Sequence, residues 1–218
     1  FSGEFNEAIK VGLEILQAAD RLKLRFWQSF IDIALGQSYL MVGNLDAAWL
    51  HMSRALKREE GSPGDRLYDQ SRMGMGLLYQ MTGENTKALA TFQGLVESKA
   101  HSISVYESCY FMGVNLEILG KSKEAVKYID RLISSASETG LRTIELSARM
   151  TRAIIFRRHM TPEKFYNEVE PLSREVENAG YFSGKFLAAW CSAITAEKSG
   201  DIPSAIQCYQ ELAAYCQK

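Results

Sequence analysis

Apolar residues along this chain recur every three or four positions, in runs that glycine, asparagine or aspartate interrupts. Between Arg25 and Val42 the run holds Phe26, Trp27, Phe30, Ile31, Ile33, Ala34 and Leu35, the spacing of a helix face. Gly43-Asn44 breaks it, and the rhythm resumes over Leu45 to Lys57 with Ala48, Met52, Ala55 and Leu56. Further pairs of runs cover 65–82 with 84–98, 103–119 with 122–138, 142–159 with 162–178, and 182–199 with 202–217. An unpaired run, Glu4 to Ala19, opens the chain. The pattern predicts about eleven helices and no strand.

The runs themselves repeat. Gly3, Gly43, Gly83, Gly120 and Gly200 stand 40, 40, 37 and 80 residues apart, so a sixth phase point falls at Met160. Five residues after each point comes alanine at 8, 48, 88, 125 and 205, and Phe165 at the degenerate one. Nine after come Gly12, Met52, Phe92, Ile129, Val169 and Tyr209; twelve after come Ile15, Ala55, Leu95, Leu132, Leu172 and Leu212. Self-similarity at such a period marks a solenoid, in which each repeat buries its face only by stacking on its neighbours. The expectation is an all-α solenoid of antiparallel helix pairs, one array over residues 1–218. Gly140 and Gly180, with Gly61 near the equivalent place, suit left-handed helix ends, and Thr161-Pro162 suits a helix start. Pro171 falls inside the second helix of the fourth unit and predicts a kink or break between Asn167 and Ser173. The outward apolar residues of the end helices, Ile9, Leu13, Leu16, Ile206, Tyr209 and Leu212, predict self-association.

Leu35-Gly36-x-x-Tyr39-x-x-x-Gly43-Asn44-Leu45-x-x-Ala48 resembles a tetratricopeptide repeat, as do the stretches Met75 to Ala88 and Met112 to Ala125. The likeness covers the whole chain, and the period of 40 resembles the long-repeat variety of bacterial signalling proteins and MalT-like regulators. It implies a right-handed superhelix. It also implies close helix approach at Gly36, Gly76, Gly113, Ala153 and Ala193, seven before each phase point. The family's aromatic near the start of the first helix is replaced by Asp32, Arg72, Cys109, Arg149 and Ala189, a departure from the pattern.

The resemblance further implies a concave groove lined by the first helices. Its positions ten before the phase points hold Ile33, Met73, Tyr110, Met150 and Trp190, and those six before hold Gln37, Leu77, Val114, Ile154 and Ile194. Nine of these ten are apolar, a strip that on an exposed surface implies a ligand. The Lys and Asn of a carboxylate clamp for chaperone C-termini are missing, with Ile33, Gln37, Met73 and Gly74 in the way. A second candidate surface is basic: Arg142, Arg149, Arg152, Arg157, Arg158 and Lys164 stand against Glu145 and Glu163 alone. Of these, Arg149, Arg152, Arg157 and Arg158 form a patch suited to an acidic partner.

Composition narrows the rest. A net charge of −1 and a pI near 6.4 argue against a nucleic-acid or membrane surface. No apolar run nears the ~20 residues of a membrane span. Four cysteines without a C-x-x-C pair fit a reduced, cytoplasmic protein. His51, His101 and His159 have no ligand-spaced partner, and Gly74-Met75-Gly76 lacks the third glycine of a phosphate loop, so no catalytic residue, metal or cofactor is expected. The chain begins at Phe1, inside a repeat, which reads as a piece of a longer protein. The reading is a non-enzymatic protein-interaction module of a cytoplasmic regulator, taking a peptide or partner domain in the groove. A small-molecule-sensing domain and a dimerisation scaffold stay open as alternatives.

Overall fold

The computed structural model describes the backbone of residues 5–61, 65–97, 102–179 and 182–216, and their side chains except 102–104, 158, 177, 179, 182–188 and 214–216. In order the helices are α1 (Phe5–Arg21), α2 (Arg25–Met41), α3 (Leu45–Arg58), α4 (Arg66–Met81), α5 (Asn85–Glu97) and α6 (Ser102–Ile118). Then come α7 (Ser122–Glu138), α8 (Arg142–Phe156), α9 (Pro162–Ala179), α10 (Phe182–Ser199) and α11 (Ile202–Cys216). No strand occurs among the described residues. All eleven expected helices are present, the eighth closing in a 3-10 turn over Arg157–His159.

The helices stop for a backbone reason. Gly43, Gly83, Gly120 and Gly200 have φ of 77°, 79°, 73° and 81°, a left-handed region where a side chain meets the following carbonyl. At the first of these, Asn44 N–H reaches back to the Tyr39 carbonyl at 2.9 Å and Gly43 N–H to that of Leu40 at 3.2 Å. That pairing satisfies carbonyls the helix leaves open. After α1 the same turn is built on Lys23, at φ 53°, with Leu24 N–H on the Ala19 carbonyl at 2.9 Å. Lys23 stands 20 residues beyond Gly3, as Gly140 (φ 69°) stands beyond Gly120. Gly3, the loop residues Ser62–Gly64 and Gly180 lie outside the described residues.

The chain divides into two compact units, Ser2–Asn115 and Leu116–Lys218. In the first, α1 packs on α2, α2 on α3, α3 on α4 and α4 on α5, with α2 also beside α4. In the second, α7 packs on α8, α8 on α9, α9 on α10 and α10 on α11, with α8 also beside α10. Within each unit, then, a first helix touches its own partner, the preceding second helix and the next first helix.

The repeat register is a packing register. Ala48, Ala88, Ala125, Phe165 and Ala205 are buried, and so are Met52, Phe92, Ile129 and Val169. At the chain's ends the register loosens: Ala8, Ile15 and Tyr209 are exposed. The reason on α1 is that it packs on α2 of the next pair alone, leaving bare the side that later second helices turn to their own first helix. Of the six end-helix residues expected to face outward, Ile9, Leu16 and Leu212 are buried, whereas Leu13, Ile206 and Tyr209 are exposed.

Small residues mark the closest contacts. Gly36, Gly76, Gly113, Ala153 and Ala193 are all buried. A Cβ on Gly36 would lie 2.8 Å from Met52 Cγ, and one on Gly74 2.5 Å from Met52 Sδ. Met52 of α3 is therefore wedged between α2 and α4. A Cβ on Gly76 would lie 2.5 Å from Phe92 Cε1.

The fourth pair departs from the expectation at one point. Of the kink or break expected at Pro171, the break does not occur: α9 runs helical from Pro162 through Ala179. Pro171 and Asn167 are both exposed, so water can serve the backbone groups that proline leaves unpaired. Met160, in place of the phase glycine, is extended at φ −113° and ψ 144°. Its side chain packs against the second unit's core, built on Met150, Ile154, Phe165, Val169, Cys191 and Ile194.

Candidate functional site

The first-helix faces carry the predicted groove residues, and their exposure sorts them. Ile33, Met73, Met150, Ile154 and Ile194 are buried. Ile33 packs with Ala55 and Leu67, while Met150, Ile154 and Ile194 belong to the second unit's core. Gln37 is exposed, and Leu77, Tyr110, Val114 and Trp190 are half-buried. In the first unit the accessible positions thus fall on three first helices, α2, α4 and α6. In the second, Trp190 lies against the core.

A turn further along two of these helices lie residues the sequence reading passed over. Met41 is 62% and Met81 51% exposed, each four residues beyond a groove position on the same face. Both stand two before a phase glycine, a periodicity that could have singled them out. Gln37, Met41, Leu77, Met81, Tyr110 and Val114 give the first unit a set of accessible, mostly apolar side chains. Aromatic contacts brace it: the Tyr110 ring meets Phe111 edge-on at 5.2 Å, and Phe111 stacks on Phe92 at 5.6 Å.

α6 carries a strained charge beside this surface. Burial holds the Glu107 carboxyl above its ordinary value of 4.5. A raised pKa in the folded state favours the protonated form, so stability is fullest below the unfolded pKa and declines as pH rises through the folded one. Glu107→Gln, which has no charge to bury, is expected to raise the melting temperature at pH 7 and to change it little at pH 4. Thermal melts of both proteins across that range check this; equal shifts at both pH values would show that the carboxyl is not responsible.

Two arginines of the predicted basic patch are paired with carboxylates. Arg149 pairs with Glu145 at 2.6 Å, and Arg152 with Asp130 at 2.7 Å and Glu168 at 3.4 Å. Arg157 donates to the Ile154 carbonyl at 2.6 Å, and the Arg158 side chain lies outside the described residues. Arg142 is drawn to Glu145 at 2.8 Å and to Glu175.

One histidine has a partner that sequence spacing concealed. His51 Nδ1 lies 2.6 Å from the Asp32 carboxylate, which Arg58 also grips from the other side. Asp32 is fully buried, and the His51 ring stacks on Tyr39 at 5.4 Å. Asp32 and His51 are 19 residues apart, on α2 and α3 of one pair, a distance no ligand motif samples. His159 is exposed and His101 lies outside the described residues. Among the described residues no group of three His, Cys, Asp or Glu is placed to hold a metal ion. Cys109, Cys191 and Cys208 form no disulfide among the described residues. Burial pushes the Cys191 thiol up to about 12, so it stays protonated at neutral pH. Among the described residues no helix is long and apolar enough to cross a membrane.

Solved structures share this arrangement of helices. BtubC (BKLC) from P. vanneervenii superposes with a TM-score of 0.69 at 16% identity, over 97% of this chain and 90% of its own. A tetratricopeptide repeat protein from Parabacteroides merdae gives 0.60 at 16% identity, over 97% of this chain and 79% of that one. The fold is that of the tetratricopeptide-repeat proteins. YrrB, a tetratricopeptide-repeat protein described as having an unusual peptide-binding site, gives 0.50 at 14% identity, over 91% and 90% of the two chains. None of the three is described as a MalT-like regulator. No protein-family model matches the sequence, and no curated protein does.

Proposed function

We propose that this tetratricopeptide-like chain is a protein-interaction module that receives a peptide or partner segment on the accessible faces of its first helices. The observation that carries the reading is the run of accessible side chains on α2, α4 and α6, namely Gln37, Met41, Leu77, Met81, Tyr110 and Val114. Methionines and aromatics adapt readily to a partner's shape. The buried groove residues, Ile33 and Met73 among them, would set the positions of these helices. The peptide-binding site ascribed to YrrB shows that a related fold supports such use. The repeat phase runs without interruption from Gly83 to Gly120, which favours one array over both units. Cysteines that form no disulfide among the described residues fit a reducing cytoplasm.

Photo-crosslinking tests the reading. A benzophenone amino acid at Leu77 or Val114 in the native host should give adducts with one protein, absent when the probe sits at exposed Glu138. The captured partner should then bind Tyr110→Ala about tenfold more weakly and Arg149→Glu equally well. Equal labelling from all three probe positions would sink the proposal.

A second reading, self-association, rests on the exposed Val11, Leu13 and Ile15 of α1 and Ile202, Ile206 and Tyr209 of α11. Sedimentation of Leu13→Glu and Ile206→Glu beside the parent protein decides it. A concentration-dependent dimer lost in either variant supports it.

A further inference from the structure

Alternating helix direction brings the end of α1, the start of α2 and the end of α3 to one edge of the first unit. Two open depressions meet there. One, of about 540 Å³, lies between α2 and α3 and is lined by Arg25, Gln28, Arg54, Lys57 and Arg58. The other, of about 300 Å³, lies between α1 and α2 and is lined by Ile15, Ala18, Ala19, Leu22, Leu24 and Trp27. Both use the first turn of α2, so a cationic hollow and an apolar one stand side by side.

The lining of the first depression holds four cations and no carboxylate. Three carboxylates nearby are already engaged. Buried Asp32 takes Arg58 and His51, Asp20 accepts from Gln28 Nε2 at 2.8 Å, and Glu59 accepts from Ser29 Oγ at 2.6 Å. Arg25 is turned to the Arg58 carbonyl. Arg54 and Lys57 are exposed and make no ion pair among the described residues. Beside them Phe26, Trp27 and Phe30 pack on one another, Trp27 edge-on to both at 5.6 and 5.9 Å. Yet they remain 59%, 51% and 43% exposed. Later units place Gln70, Glu107, Ser147 and Leu187 where this one has Phe30, so the aromatic cluster is not a demand of the repeat.

We propose that this edge docks an acidic segment of a protein partner, its carboxylates over Arg54 and Lys57 and one apolar side chain seated beside Trp27. The inference rests on the reading of the chain as a partner-binding module, but it uses the α1–α2–α3 edge rather than the first-helix strip. Charge complementarity selects the sign of the partner, and the adjoining aromatic hollow selects an amphipathic segment over a simple anion, because apolar anchors supply most interface affinity.

Fluorescence anisotropy with a labelled peptide, Asp-Glu-Leu-Glu-Trp-Glu-Asp, tests it on the whole chain. Binding is expected to weaken about tenfold in Arg54→Glu with Lys57→Glu and again in Trp27→Ser, with melting temperatures unchanged, since all three residues are exposed. Tyr110→Ala should bind as the parent does. A comparator with serine for leucine and tryptophan should bind at least tenfold more weakly, and one with lysine for the acids not at all. Equal binding of the serine comparator would reduce the edge to a polyanion site, and competition by oligouridylate at equal concentration would assign it to RNA; either overturns the proposal. If Tyr110→Ala weakens binding while the charge reversal does not, the peptide lies on the first-helix strip, and the proposed function survives without this edge. No binding of the peptide at all overturns the edge alone, because crosslinking from Leu77 still reports on the strip.

Discussion

Gly76→Leu is expected to lower the unfolding free energy by about 1–3 kcal/mol, the usual consequence of overpacking a filled core. Even alanine should destabilise here, although glycine within a helix is ordinarily worse than alanine by ~1 kcal/mol. The added Cβ would stand 2.5 Å from Phe92 Cε1, on a ring that is wholly buried and stacked on Phe111. It has no room to yield. Gly94 is the control: its Cβ would meet Arg72 at 2.7 Å, but the atom met is the far end of a flexible guanidinium. Gly94→Ala is therefore expected to be neutral or stabilising by up to ~1 kcal/mol. Urea denaturation midpoints of the two alanine variants should move in opposite directions. If both rise, the contact between α4 and α5 is looser than the structure has it.

That contrast shows what the sequence could disclose. Helix number and phase were legible because each repeat restates them, and the phase glycines answer a backbone requirement that one residue meets best. The close approach at Gly36 and Gly76 was legible for the same reason. Lys23 escaped notice because a lysine can occupy the left-handed turn that glycine marks elsewhere. The exposure of Phe26, Trp27 and Phe30 was hidden by apolar periodicity, which is identical for a buried face and for one left without a partner. Pro171 overstated the case for a break: proline's local penalty is certain, but the exposure that softens it is a tertiary fact. For the groove, repeat spacing picked out Gln37 and Leu77, which are accessible on α2 and α4. A rotation of one position along the helix decides whether a residue such as Ile33 meets solvent or a neighbouring helix, and spacing alone does not resolve it.

The largest single effect is expected at Asp32. Its carboxylate is fully buried and held between His51 Nδ1 at 2.6 Å and Arg58. Asp32→Ala removes the carboxylate that both of them hold, and breaking one side of a buried pair typically costs about 3–5 kcal/mol. The lower end applies, because the Arg58 side chain is 22% exposed and can recover some hydration. His51, only 5% exposed, cannot. Asp32→Asn, which keeps the shape and an acceptor but loses the charge, should fall between. The interaction itself is isolated by replacing both ends: Asp32→Leu with His51→Leu should recover most of the loss, since well-packed apolar residues often substitute for buried ion pairs without penalty. A double-mutant cycle from urea denaturation reads the coupling directly. Additive single effects would mean that Asp32 and His51 do not support one another, and that the carboxylate ties α2 to α3 through Arg58 instead.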